Sequence, residues 1–185
     1  RHPQVDGDFY QRRAFIMNIK LVAILFAGLL TTRLLHAQTD QYQFLRLDIG
    51  QGLSHNQVNN IFRDSKGFLW FATMSGLNRY DGYTFRVFKH DLRDSTSISD
   101  DNVTRVYEGP GKKLWVETSS GWCIFDPASE RFDRRAPQQL AKLSLPAASI
   151  TQIVKDRKNN YWFVLASGVF KYNVANGKAV PVYRP

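Results

Sequence analysis

One cysteine, two methionines and four histidines are all that this 185-residue chain holds of the side chains that make redox and soft-metal chemistry. Cys123 stands alone, so no intrachain disulfide can close and no thiolate zinc site can be assembled. His2, His36, His55 and His90 show no metal-ligand spacing. No metal and no cofactor is therefore expected. Long apolar runs are missing too. The longest is Leu21–Leu30, ten residues, where a bilayer-spanning helix needs about 20. Runs of lysine and arginine are absent as well. The formal net charge is +9, but the charges are interspersed, which argues for a solvated surface and against a nucleic-acid footprint.

What is present begins with an export pattern. Residues 17–37 read MNIKLVAILFAGLLTTRLLHA. Lys20 forms a short positive region, the apolar run follows, and Ala37 precedes Gln38 at a suitable cleavage point. The pattern predicts a signal peptide cut between Ala37 and Gln38. Met17 is the expected start, with residues 1–16 an upstream artefact or a disordered lead.

The strongest signal is a repeat. Trp70, Trp115 and Trp162 are spaced 45 and 47 residues apart. Val58, Val103 and Ile150 lie twelve residues before them, and Gly76, Gly121 and Gly168 six residues after. Tyr80, Phe125 and Tyr172 hold a further fixed offset. A period in this range marks one supersecondary unit repeated along the chain.

Each unit reads as four short strands. In the first, Val58–Arg63 is followed by the turn Asp64-Ser65-Lys66-Gly67. Phe68–Thr73 is apolar enough for burial on both faces, and Ser75-Gly76 turns the chain into Leu77–Tyr80. Asp81-Gly82 is a hairpin signal, and Thr84–Lys89 alternates as a half-exposed outer strand. Four strands in about 45 residues describe a propeller blade. The fold class is thus all-β, a partial β-propeller of about three blades. The expected divisions are a leading outer strand (Tyr42–Leu47) and lead-in loop over 38–54, blades over 55–90, 102–135 and, in truncated form, 149–185, and linkers at 91–101 and 136–148. Pro137 and Pro146 bracket Gln138–Leu145, which is expected to be irregular or a single turn. The linker DLRDSTSISDD, Asp91 to Asp101, lacks the spacing of a calcium loop and reads as a solvated connection.

These residues resemble a known family. The stretch from Gly52 to Phe88, GLSHNQVNNIFRDSKGFLWFATMSGLNRYDGYTFRVF, is similar to the two-component regulator propeller repeat. The likeness fades along the chain: Ala72 and Glu117 replace the usual glycine after the Trp, Leu165 stands where Thr73 and Thr118 stand, and Gly109 replaces the turn aspartate found as Asp64 and Asp156. The resemblance implies a seven-bladed propeller, often one of two in tandem. It implies the periplasmic sensor of a hybrid histidine kinase anchored in the inner membrane, in many cases responsive to oligosaccharides. The partners it implies are an oligosaccharide, the remaining blades and the downstream signalling domains. The chain itself is expected to be non-catalytic, since no paired-carboxylate constellation for glycoside hydrolysis is evident. A protein-interaction scaffold and a propeller glycosidase fragment are the alternatives.

Among candidate site residues, Trp70, Trp115 and Trp162 with their glycines read as repeat core rather than ligand platforms. Trp122 departs from the repeat, standing where Leu77 and Val169 stand, and is the better ligand candidate. Arg79 and Tyr83 flank the Asp81-Gly82 hairpin as further ligand or partner contacts.

Overall fold

The computed structural model describes residues 44–184. The predicted signal peptide, its cleavage point and residues 1–16 lie outside the described residues. Among the described residues no helix is long and apolar enough to cross a membrane.

Twelve strands form three separate four-stranded antiparallel sheets, each a meander in chain order. The first holds β1 (Val58–Arg63), β2 (Leu69–Thr73), β3 (Gly76–Tyr80) and β4 (Phe85–Phe88). The second holds β5 (Val103–Glu108), β6 (Leu114–Thr118), β7 (Gly121–Asp126) and β8 (Arg131–Asp133). The third holds β9 (Ile150–Lys155), β10 (Tyr161–Leu165), β11 (Gly168–Asn173) and β12 (Lys178–Tyr183). These are three propeller blades. Within each, the turn between the first two strands lies at one end of the sheet and the turn between the second and third at the other.

Register repeats with composition. Val58 pairs with Thr73 and Val103 with Thr118, each followed by a bulge. The β2–β3 turn closes Thr73 onto Gly76, and the β6–β7 turn closes Thr118 onto Gly121. Each threonine hydroxyl donates to its glycine carbonyl, at 2.9 and 2.8 Å. Gly76 has φ +118°, and a Cβ there would meet the Phe88 carbonyl oxygen at 2.7 Å, so glycine is required twice over.

The cores sit between sheets. Trp70, Ala72 and Leu77 of the first sheet pack with Val103, Val106, Val116 and Phe125 of the second. Trp115 and Ile124 of the second pack with Ile150, Ile153, Phe163 and Phe170 of the third. Each tryptophan therefore faces the sheet that follows its own. Leu53, Ile98 and Leu145, five residues before each first strand, are buried as well. Ile98 is fully buried, so the linker 91–101 is not the purely solvated connection its polar composition suggests.

Three expectations need correction. Trp162 is only half-buried, because no described sheet covers the face it presents. The segment between the second and third sheets is a helix, α1 (Ala136–Lys142), rather than a single turn. Pro137 lies at its start, where the missing N–H has no partner to lose, and Ala136 and Leu140 anchor it in the core. Finally, 44–47 is irregular, not a strand. A strand needs a partner, and residues 44–47 take no part in the pairing of the three described sheets.

Candidate functional site

The turn following the first strand shows how the repeat tryptophans are held. Asp64 Oδ1 accepts from the backbone N–H groups of Lys66 and Phe68, at 2.9 and 3.0 Å, and Oδ2 accepts from Trp70 Nε1 at 2.8 Å. Asp156 repeats the arrangement, accepting from Trp162 Nε1 at 3.0 Å and from the Asn160 side chain. The Trp162 indole, then Asn160, holds the Asp156 carboxyl well below the usual carboxylate range. In the second sheet Gly109 takes this position, and the Trp115 indole occupies the space its side chain would need. The tryptophans are thus structural parts, each keyed to its own turn. The aspartate six residues ahead of the tryptophan is a signal that the sequence carried twice.

Trp122 lies at the opposite end of the second sheet, on β7, opposite Glu117. Its ring stacks on Tyr107, with centroids 6.2 Å apart and planes 23° from parallel. It is half-buried and lines a cleft of about 380 Å³ between the second and third sheets. Pro137 and Leu140 of α1 form one wall, and Ser120, Ser149 and Arg134 supply polar groups. Ser120 donates to Asp100 Oδ2 at 2.8 Å. That bond and the Asn102 N–H keep Asp100 below its ordinary range, the backbone contact being the larger influence. Arg134 is heavily engaged: Nε donates to the Ser97 carbonyl at 3.0 Å, and Nη2 reaches Ser97 Oγ at 2.7 Å and the Asp94 carbonyl at 3.0 Å. It fixes the linker 91–101 beside the cleft. The arrangement offers an aromatic face, apolar walls and a few polar groups at the rim, which is the usual make-up of a small-molecule site.

Arg79 and Tyr83 do not join Trp122. The Arg79 guanidinium lies over the Phe68 ring at 5.0 Å and pairs with Glu130 Oε1 at 3.0 Å. Glu130, in the β7–β8 turn, also pairs with Arg86. Arg79 is therefore a clamp between the first and second sheets, and its partner lies 51 residues away, outside the repeat register. Tyr83 is 90% exposed beside Gly82, at the other end of the sheets from the Trp122 cleft. Cys123 is buried, and burial pushes its thiol up from the ordinary range. Among the described residues no group of three or more metal-binding side chains comes together.

Comparison with known proteins bears on the first sheet most directly. Residues 52–75 match the family model described as "Two component regulator propeller". A curated relative, Histidine kinase P4 of Formosa agariphila, is 37% identical over 82 residues, which is 44% of this chain and 6% of that protein. Two solved structures from B. thetaiotaomicron are similar, both extracellular domains assigned to hybrid two component systems. One is 22% identical with a TM-score of 0.39, covering 75% of this chain and 26% of its own. The other is 20% identical with a TM-score of 0.44, covering 77% and 27%. The chain thus spans a small fraction of its curated relative and about a quarter of each solved one. At residues 52–75, running from the buried Leu53 through the first strand and the Asp64–Trp70 lock, this chain carries the repeat of the two-component regulator propeller family.

Proposed function

We propose that this chain is part of the ligand-sensing propeller of an exported two-component receptor, and that the cleft beside Trp122 takes an oligosaccharide. The carrying observation is Trp122 itself: an aromatic where the repeat has Leu77 and Val169, half-buried, and lining a cleft of about 380 Å³. A planar aromatic ring suits the apolar face of a sugar, and Ser120 and Ser149 at the rim suit its hydroxyls. The cleft lies on a seam between sheets, so a bound ligand biases how those sheets pack. Kinase chemistry belongs to other parts of the receptor, beyond a transmembrane helix, and this chain acts as a non-catalytic sensor. The Ala37–Gln38 cleavage pattern supports export, with the sensor in the periplasm. Titration of an oligosaccharide panel against intrinsic fluorescence tests the reading. One saccharide class should saturate, and Trp122→Ala should weaken it about tenfold or more, the loss of one stacked ring. A flat panel, or unchanged affinity in Trp122→Ala, would overturn it. N-terminal sequencing of the exported protein should begin at Gln38.

A further inference from the structure

The Trp122 cleft lies where an outer strand stops early. In the first sheet β4 runs on to Phe88, which pairs with Leu77. In the third, β12 runs on to Tyr183, which pairs with Val169. Trp122 stands at the matching position, but β8 ends at Asp133, opposite Ile124. The ending has a local cause. Asp133 Oδ1 accepts from the Arg135 N–H at 2.9 Å, and Oδ2 accepts from the Gln139 side chain at 2.6 Å. These bonds turn the chain out of the strand and into α1, where Pro137 has no N–H to give to a ladder. The glycines report the same gap. A Cβ at Gly76 or Gly168 would run into the carbonyl oxygen of Phe88 or Tyr183, whereas nothing lies within 4 Å of one at Gly121.

Strand alternation fixes what the open edge presents. The Asp126 carbonyl accepts from the Glu130 N–H at 2.8 Å, on the β8 side. Main-chain groups of successive residues alternate between the two neighbouring strands, so Ile124 and Trp122 turn theirs to that side as well. Ile124 meets Asp133 there. The Trp122 N–H and C=O meet no backbone partner there among the described residues. Instead Trp122 borders the cleft, with Ala136, Pro137 and Leu140 as the facing wall.

A donor and an acceptor thus lie side by side on one residue, beside an indole. A partner must offer an acceptor and a donor with the same close spacing. A single trans amide fails, because its N–H and C=O point in opposite directions. An added peptide strand needs a longer open edge, and here Ile124 is already paired while Ser120 lies in the turn. Two adjacent hydroxyls on a six-membered ring meet the demand, one donating to the C=O and the other accepting from the N–H. The geometry points to the Trp122 main chain as the anchor for a vicinal hydroxyl pair of a pyranose, with the indole and the α1 wall against its apolar parts. The inference rests on the saccharide reading of the cleft and names the sugar groups that are held.

Backbone amide NMR of the full chain, titrated with trans-1,2-cyclohexanediol, tests the anchor with a minimal form of that pair. The diol should saturate, move the Trp122 amide resonance and slow its hydrogen exchange, while the paired Leu77 amide stays in place. Cyclohexanol, which can fill one bond only, should bind severalfold more weakly. An amide-to-ester replacement at Trp122 removes the N–H and keeps the ring. It should weaken the diol severalfold and cyclohexanol little, with far-UV circular dichroism confirming the fold. Absence of saturable diol binding, an unmoved Trp122 amide, or equal affinity for cyclohexanol overturns the inference. So does tighter binding of acetyl-trialanine methylamide, which would make the open edge a peptide site. Failure of the diol beside a saccharide that saturates the cleft removes the anchor alone; a flat saccharide panel removes the saccharide reading itself.

Discussion

Replacing Trp70 by alanine strikes the seam between the first two sheets. The ring is fully buried. It meets Phe125 edge-on at 5.3 Å and stacks near Phe88 at 5.9 Å. Truncating a buried Trp to Ala costs about 3–5 kcal/mol through lost contacts and the residual cavity. A second loss adds to it. Asp64 Oδ2, held by the indole N–H at 2.8 Å, is left without that donor, and an orphaned buried acceptor costs about 1–3 kcal/mol. Water entering the vacated space recovers part of this, so the expected total stays near the upper end of the cavity range. Trp70→Phe separates the two effects. It keeps most of the ring and removes the donor, so about 1.5–3 kcal/mol is expected for a hydrogen bond to a charged group. Trp162→Ala is the control: its indole makes the matching bond to Asp156, but the ring is half-buried, and the cost should be less than half that of Trp70→Ala. Urea unfolding followed by far-UV circular dichroism gives all three differences. Equal costs for Trp70→Ala and Trp162→Ala would refute the reasoning, because burial against a following sheet is what distinguishes them.

Three further outcomes are expected. Gly168→Ala should destabilise more than Gly121→Ala in thermal melts. Both have positive φ, +133° and +104°, but a Cβ at Gly168 collides with the Tyr183 carbonyl whereas nothing lies within 4 Å of one at Gly121, so the latter should cost only the left-handed penalty of about 1–2 kcal/mol. Stability should fall as pH drops below the ordinary aspartate value of 3.8 towards 2. Asp133 is held at about 2, chiefly by Arg135, and a depressed carboxyl contributes stability above its unfolded value that is lost as it protonates in the fold; a flat melting temperature between pH 5 and about 2 would contradict this. A double-mutant cycle on Arg79 and Glu130 should give about 1 kcal/mol or less, because the pair is partly solvated (19% and 28% side-chain exposure).

Particular residues show how far the chain could be read in advance. The Trp70, Trp115 and Trp162 spacing made the four-stranded units legible, because a blade's turns and apolar runs are local, although strand by strand only the first unit was read. Burial was less legible, since it depends on what lies across a seam; Trp162 shares its register with Trp70 yet lacks a covering sheet. Pro137 was read as a breaker, but in the first turn of α1 it is tolerated, and Leu140 supplies the packing that holds the helix. The strand expected over Tyr42–Leu47 is unpaired across its described part, and pairing is a tertiary property. Arg79 looked free because Glu130 stands outside the periodic positions. Trp122 was visible as a break in the pattern, whereas the cleft around it needed α1 to be folded in place.

Because Trp70 and Trp115 each look toward the next sheet, while Trp162 has none to meet and Trp122 lines a cleft, the four indoles sample four different surroundings. Trp70 reports the first seam, Trp115 the second, Trp122 the cleft, and Trp162 the uncovered face of the third sheet. Variants retaining one indole each would therefore resolve, by emission wavelength and quenching alone, which junction responds when a ligand arrives and in what order the junctions open under denaturant. The repeat that builds the molecule, with the one tryptophan that departs from it, has also distributed through it a set of optical gauges.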